Sequence, residues 1–234
     1  LWEYRRELPA NIGAITGSSH RFRNVARYDD KVFLATQDAA LVALDAKTGK
    51  LVWEISRGDY REKLSATTGP VIVQGRLITG GRCDPSSTVK GGCFITANDV
   101  RNGEEVWRVN TIARPGEPGG DTWGDLPADE RRHVSPWMLG SYDPELNLTY
   151  WGTGNPGPDW DGAGRAGDNL YSCSVIALDP DTGKLKWHYQ FSPHNEFDWD
   201  SAQTPVLADL DWQGPSTSLG TGRARKVMLW ANRN

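Results

Sequence analysis

The sequence predicts an all-β chain built from repeated β-sheets, and three observations carry that expectation. A phrase returns three times: Ala43-Leu-Asp-Ala-Lys-Thr-Gly-Lys-Leu-Val-Trp53, Ala97-Asn-Asp-Val-Arg-Asn-Gly-Glu-Glu-Val-Trp107 and Ala177-Leu-Asp-Pro-Asp-Thr-Gly-Lys-Leu-Lys-Trp187. Every copy holds Ala, Asp two residues on, Gly six on and Trp ten on, so the chain contains an internal repeat. Each copy is entered by a short apolar run and left by an alternating run that ends in Trp, the pattern of a β-hairpin.

The elements follow in order. Leu1-Trp2-Glu3 has the same form as Leu51-Val52-Trp53-Glu54 and reads as the end of a preceding repeat. The apolar runs Leu41–Leu44, Phe94–Ala97 and Val175–Leu178 each lead into a turn. There Asp45, Asp99 and Asp179 cap with a carboxylate, and Gly49, Gly103 and Gly183 supply the positive φ of a hairpin with a bulge. The repeats lie 54 and then 80 residues apart. A four-stranded propeller blade takes roughly 40–50 residues. The first period therefore fits one blade, and the surplus in the second matches residues 111–134, rich in Pro, Gly and charge, as a long inserted loop. A β-sandwich would also have recurrent turns, but the repeated Trp favours a β-propeller. Lys226–Ala231 reads as a last strand with nothing after it. Three to four blades do not close a large propeller, so residues 1–234 are expected to be a partial propeller domain, truncated at both ends.

Composition sets limits on function. A net charge of −4 without a long basic run argues against nucleic acid as a partner. No apolar stretch approaches the roughly 20 residues that a membrane span needs. Of three cysteines, Cys83 and Cys93 bracket a Gly-rich loop and Cys173 is left over; spacing alone allows either a Cys83–Cys93 bridge or three free thiols.

Some motifs fail on their context. Gly162-Ala-Gly164-Arg-Ala-Gly167 matches a dinucleotide-binding pattern in letters. No apolar strand precedes it and no helix pattern follows, so the mechanism has no helix N-terminus to use. His20, His133, His188 and His194 lack zinc-ligand spacing. Neither a phosphate loop nor a nucleophile-elbow serine is present.

Two segments hold. In His194-Asn-Glu196-Phe-Asp198-Trp-Asp200 three carboxylates alternate, so an extended strand would present them on one face. Like charges there repel unless solvated, paired or bound to a cation, and hard oxygens suit calcium or a similar ion. In Trp151-Gly-Thr-Gly-Asn155-Pro156 the proline ends a strand and leaves a carboxamide at its tip.

These segments resemble the quinoprotein alcohol dehydrogenases, eight-bladed propellers that bind pyrroloquinoline quinone (PQQ), and the resemblance spans essentially the whole chain, about half of such a propeller. The repeated phrase is similar to the family's tryptophan-docking motif. Gly-Thr-Gly-Asn155-Pro resembles the segment whose Asn ligates the metal, and His194-Asn-Glu-Phe-Asp198 resembles the element that carries the catalytic base. Asn155 and Asp198 are 43 residues apart, close to the family's separation. The resemblance implies that Trp137 stacks under the quinone, that Ser135, Arg23 and Thr67 contact the cofactor, and that Asp198 is the catalytic base. It implies Ca²⁺ or a lanthanide ion held by Asn155, Asp198, Asp200 and Asp84. Asp200 falls where lanthanide-using members carry an extra Asp. The chain also departs from the pattern. Gly17-Ser18 stands where many members have adjacent cysteines. Arg82-Cys83-Asp84-Pro85 stands where a glutamate ligand is expected, so Asp84 is the candidate substitute. The implied activity is oxidation of a primary alcohol, with a small alcohol as substrate and a cytochrome c-type electron acceptor. The implied location is the bacterial periplasm, which in turn predicts a Cys83–Cys93 disulfide. The alternatives are a non-catalytic propeller scaffold and a PQQ-binding homologue that has lost the metal.

Overall fold

The computed structural model describes residues 1–17, 23–84, 86–89, 92–210 and 225–233. Ser18, His20 and Pro85 lie outside that set. A five-residue helix, α1 (Ile12–Thr16), precedes the first sheet, which runs β1 (Ala26–Tyr28), β2 (Lys31–Ala35), β3 (Ala40–Asp45), β4 (Leu51–Ser56). Next come β5 (Leu64–Ser65), β6 (Val71–Val73), β7 (Arg76–Thr79), β8 (Arg82–Cys83), β9 (Phe94–Asp99) and β10 (Glu105–Asn110). The second sheet is β6-β7-β9-β10, while β5 and β8 pair outside it. After β11 (Arg132–His133) come β12 (Ser141–Asp143), β13 (Leu148–Gly152), β14 (Pro156–Gly157), β15 (Ser174–Leu178) and β16 (Leu185–Gln190). The third sheet is β12-β13-β15-β16, and β11 pairs with β14. The hairpin β17 (Val206–Leu210) and β18 (Arg225–Leu229) closes the described chain. All pairings are antiparallel, as consecutive hairpins require.

The three repeated phrases form the same turn three times. The side chains of Asp45, Asp99 and Asp179 accept backbone N–H groups two or three residues on. The N–H groups of Gly49, Gly103 and Gly183 donate to the carbonyls of those same aspartates at 2.8 Å, with φ of 71°, 80° and 72°. Each hairpin carries the expected register shift just beyond the turn.

The repeat also joins one sheet to the next. Trp2 Nε1 donates to Ala46 O (3.0 Å), Trp53 Nε1 to Val100 O (3.2 Å) and Trp107 Nε1 to Pro180 O (2.9 Å). Each acceptor directly follows the turn Asp of the next repeat. Each indole covers that turn's glycine so closely that a Cβ would lie 2.5–2.9 Å from the ring. Between the second and third sheets the interface is apolar, with Ile78, Ile95, Trp107, Trp151, Ile176 and Leu178 in one cluster.

Residues 111–131, between β10 and β11, pack against the body. Trp123 is fully buried and donates to Leu170 O at 2.6 Å, and the Arg131 guanidinium lies over its ring while binding the Leu126 and Ala113 carbonyls. The segment thus leads into β11 and His133, beside the candidate site. Cys83 and Cys93 are joined in a disulfide, and Cys173 is free and buried, with burial pushing its thiol well above the usual range.

Candidate functional site

The site begins with two glycines. At Gly152 a Cβ would lie 2.3 Å from Ser201 O, and at Gly154 it would lie 2.5 Å from Asp200 Oδ1. Only glycine allows the end of β13 to press against residues 200–202. The Thr153–Ser201 bridge, the Gly154 N–H to Ser135 O bond and the Cys173 N–H to Gly154 O bond clamp the segment from three sides. Asn155 emerges from this clamp completely buried.

Asp200 then ties the site together. Its Oδ1 accepts the Asn155 backbone N–H at 3.0 Å, and its Oδ2 accepts Trp137 Nε1–H at 3.1 Å. The other face of the Trp137 neighbourhood is closed by Thr67 and Arg23. Thr67 Oγ1 donates to Trp137 O, Arg23 Nη1 donates to Thr67 O, and the Arg23 guanidinium lies 4.9 Å from the Trp137 ring centre. The structure therefore brings Asn155, Asp200, Trp137, Thr67 and Arg23 into one continuous set of contacts. Asp198 borders the same set, since Asp200 is among the groups acting on its carboxyl. Burial, then Asp200, push that carboxyl above the ordinary range, and Arg233, whose Nη1 lies 3.7 Å from Asp198 Oδ2, offsets part of the rise.

One expectation requires revision, and Ser135 and Asp84 make contacts of their own. The segment 194–200 is not a strand: Asn195 Oδ1 accepts the N–H groups of Phe197 and Trp199, which bends the chain and puts Asp198 at φ 54°. Alternation therefore fails. Glu196 turns away from Asp198 and Asp200 to accept the Gly162 N–H and to face His194. The Ser135 hydroxyl is spent internally, donating to Gly81 O and accepting the Cys83 N–H. Asp84 keeps company with Ser86 and Arg82, and no contact among the described residues joins it to Asn155, Asp198 or Asp200. Burial raises its carboxyl, but the Ser86 hydrogen bonds and the charge of Arg82 outweigh that and hold it below the usual range.

Asp159 and His133 were not expected in the site. Asn155 Nδ2 donates to Asp159 Oδ1 at 2.7 Å, and His133 Nδ1 lies 3.4 Å from that same oxygen. Arg233, facing Asp198, was also missed.

A hard cation fits this donor set. Asn155 Oδ1 is buried without a hydrogen-bond partner, an arrangement that costs about 1–3 kcal/mol when nothing binds the oxygen. Among the described residues no three His, Cys, Asp or Glu side chains close on one point, so a cation here would also need donors of another kind, such as the Asn155 carboxamide. A flat anionic quinone likewise suits an indole face next to a guanidinium.

A partial propeller of hairpin blades locked by tryptophans, with an oxygen-rich site at the strand ends, defines the class of protein. Comparison identifies the family. Residues 1–219 match the PQQ family domain described as glucose/ethanol/alcohol dehydrogenase, beta-propeller domain, and the chain belongs to that family. It is 40% identical over 220 residues to the quinoprotein alcohol dehydrogenase PedH of Pseudomonas putida, a match over 86% of this chain and 35% of that protein. It is 30% identical to a lanthanide-dependent methanol dehydrogenase of Methylorubrum extorquens over 94% of this chain and 39% of that one. A solved europium-containing methanol dehydrogenase superposes with a TM-score of 0.88 at 28% identity, covering all of this chain and 42% of that one. The chain spans about a third of the length of the curated relatives it matches.

Proposed function

We propose that this chain is part of a PQQ-dependent dehydrogenase that oxidises a primary alcohol at the Trp137–Asn155–Asp198–Asp200 site. The observation that carries this reading is the buried, unpartnered Asn155 Oδ1 beside Asp200, which also holds Trp137. When bound, PQQ supplies a two-electron acceptor and the cation a Lewis acid. The residues of this chain do the rest. Asn155 Oδ1 and the carboxylates of Asp198 and Asp200 hold the cation. Trp137 offers its ring face to the cofactor and Arg23 its charge. Asp198 takes the proton of the substrate hydroxyl, acting as general base.

The Asp198→Asn variant of the full-length protein is expected to retain PQQ, followed by its absorbance, and to lose about 10²–10⁴ in turnover. Unchanged turnover would remove Asp198 from the chemistry.

The cation is proposed to be a lanthanide, since Asp200 adds a charge that a trivalent ion exploits more than a divalent one. Relatives named as lanthanide-dependent methanol dehydrogenases favour the same choice. Because Asp200 also holds two buried donors, the test uses Asp200→Asn, which keeps an acceptor in place. Reconstitution with PQQ and La³⁺ is expected to give more activity than with Ca²⁺, and Asp200→Asn to narrow that gap; higher activity with Ca²⁺ in the unmodified protein would reject the assignment. The electron acceptor is proposed to be a c-type cytochrome, in keeping with relatives named quinohemoproteins. A periplasmic location is supported by the Cys83–Cys93 disulfide. No helix among the described residues is long and apolar enough to cross a membrane.

A further inference from the structure

We propose that Asp159 is a positioning residue that fixes the Asn155 carboxamide so that its oxygen, and not its NH2 group, faces the cation. This rests on the cation reading above. An asparagine ligand has a problem of its own in an acidic site. Its amide has two ends, and the neighbouring carboxylates of Asp198 and Asp200 attract the wrong one. Unrestrained, the NH2 would turn toward those acceptors and block the site.

Asp159 removes that choice. A carboxylate is acceptor-only, so the 2.7 Å contact from Asn155 Nδ2 to Asp159 Oδ1 selects the NH2 end. The oxygen is then left pointing elsewhere, buried and without a partner, which is the observed state. Asp159 is itself held in place. His133 Nδ1 stands 3.4 Å from the same carboxylate oxygen without a hydrogen bond between them, and the β11–β14 pairing sets His133 opposite Pro156. The preceding residue, Pro158, is pinned from behind. Arg165 is fully buried, and its Nη2 donates to both Pro158 O (3.2 Å) and Asn195 O (2.7 Å), while Nη1 donates to Asn169 Oδ1. One guanidinium therefore joins the segment carrying Asp159 to the segment carrying Asp198. Partners outside a metal's own ligands commonly set ligand orientation in this way.

The test is a Tb³⁺ titration of the metal-free full-length protein, read by luminescence sensitised through tryptophan. Asp159→Ala is expected to weaken Tb³⁺ binding by about 10–100-fold, the usual effect of losing such a partner. Asp159→Asn keeps an oxygen acceptor for Nδ2 and is expected to recover most of that loss. Should Asp159→Ala not fold, Asp159→Ser, too short to reach Nδ2, takes its place with the same expectation. An Asp159→Ala affinity equal to that of the unmodified protein overturns the proposal. So does an equal loss in Asp159→Ala and Asp159→Asn, which would make Asp159 a source of charge, not of orientation. Asn155→Ala separates the two readings. If it weakens binding while Asp159→Ala does not, only the positioning role falls; if it too binds Tb³⁺ normally, the cation site falls with it.

Discussion

The repeat turns and the candidate site treat polar groups in opposite ways. At the turns the main conflicts are resolved locally. The aspartate caps its own turn, the glycine alone takes the positive φ, and the indole N–H finds a carbonyl on the next sheet. At the site positive φ falls on residues that carry side chains, including His133, Val134, Cys173 and Asp198. Buried polar atoms there, such as Asn155 Oδ1, lack partners. Both features also occur elsewhere, as at Ala39, Lys63 and Gln74 in φ and at Ser65 and Asn98 in unpartnered atoms, so what distinguishes the site is that they fall on groups able to hold a ligand.

The sharpest way to break this comparison is to remove a docking tryptophan. Trp107 is 9% exposed, sits over Gly183 and bonds Pro180 O. Trp107→Ala is expected to lower unfolding stability by about 3–5 kcal/mol, as for other buried large-to-small changes. Trp187 offers an internal reference, because among the described residues it meets no following turn and is 41% exposed. Denaturant melts of Trp107→Ala that differ from wild type by less than about 1 kcal/mol would show that the tryptophans do not join the sheets.

A smaller effect separates conformational from packing cost in the same turn. Gly183 has φ 72°, and a Cβ there would lie 2.7 Å from the Trp107 ring; Gly116 has φ 87° with nothing within 4 Å. Gly116→Ala is expected to cost about 1–2 kcal/mol from the left-handed backbone alone. Gly183→Ala adds the overpacking penalty and reaches roughly 2–4 kcal/mol. Equal losses for the two would mean that the indole yields freely and the docking contact is loose.

The same contrast explains what could be read from the chain. The repeat was legible because each turn depends on residues close in sequence, Asp with Gly four on and Trp eight on. Sequence reading singled out Asn155 through its glycines and proline, Asp200 through the alternating carboxylates and Trp137 through the family resemblance, and the structure puts the three in contact. It was illegible where a contact depends on distant pairing. His133 reaches Asp159 only because β11 meets β14, and nothing in the spacing of 133, 155 and 159 announces it. The alternation of 196, 198 and 200 misled because one carboxamide, Asn195, outcompetes the extended backbone. Arg165 lay inside a rejected glycine motif, and its buried role uses carbonyls and a carboxamide that carry no sequence signature.

The smallest expected effect concerns charge, and it contrasts a paired carboxylate with the crowded ones of the site. Asp38 faces Arg6, whose guanidinium forks between Asp38 at 2.7 Å and Glu54 at 2.7 Å, tying the N-terminal segment to the first sheet. Burial pushes the Asp38 carboxyl up, but hydrogen bonds from Arg6 and Thr36 outweigh it and leave it below the ordinary value. In the unfolded chain an aspartate titrates near about 3.9. A folded-state value below that means the unfolded chain binds protons first on acidification. The contribution of Asp38 is therefore fully present above about pH 4 and is lost as pH falls through its folded value. Thermal midpoints of wild type and Asp38→Asn should differ most at neutral pH and converge in acid. A gap that stayed constant down to strong acid would show that the Arg6 contact stabilises through its shape and not through the charge of Asp38.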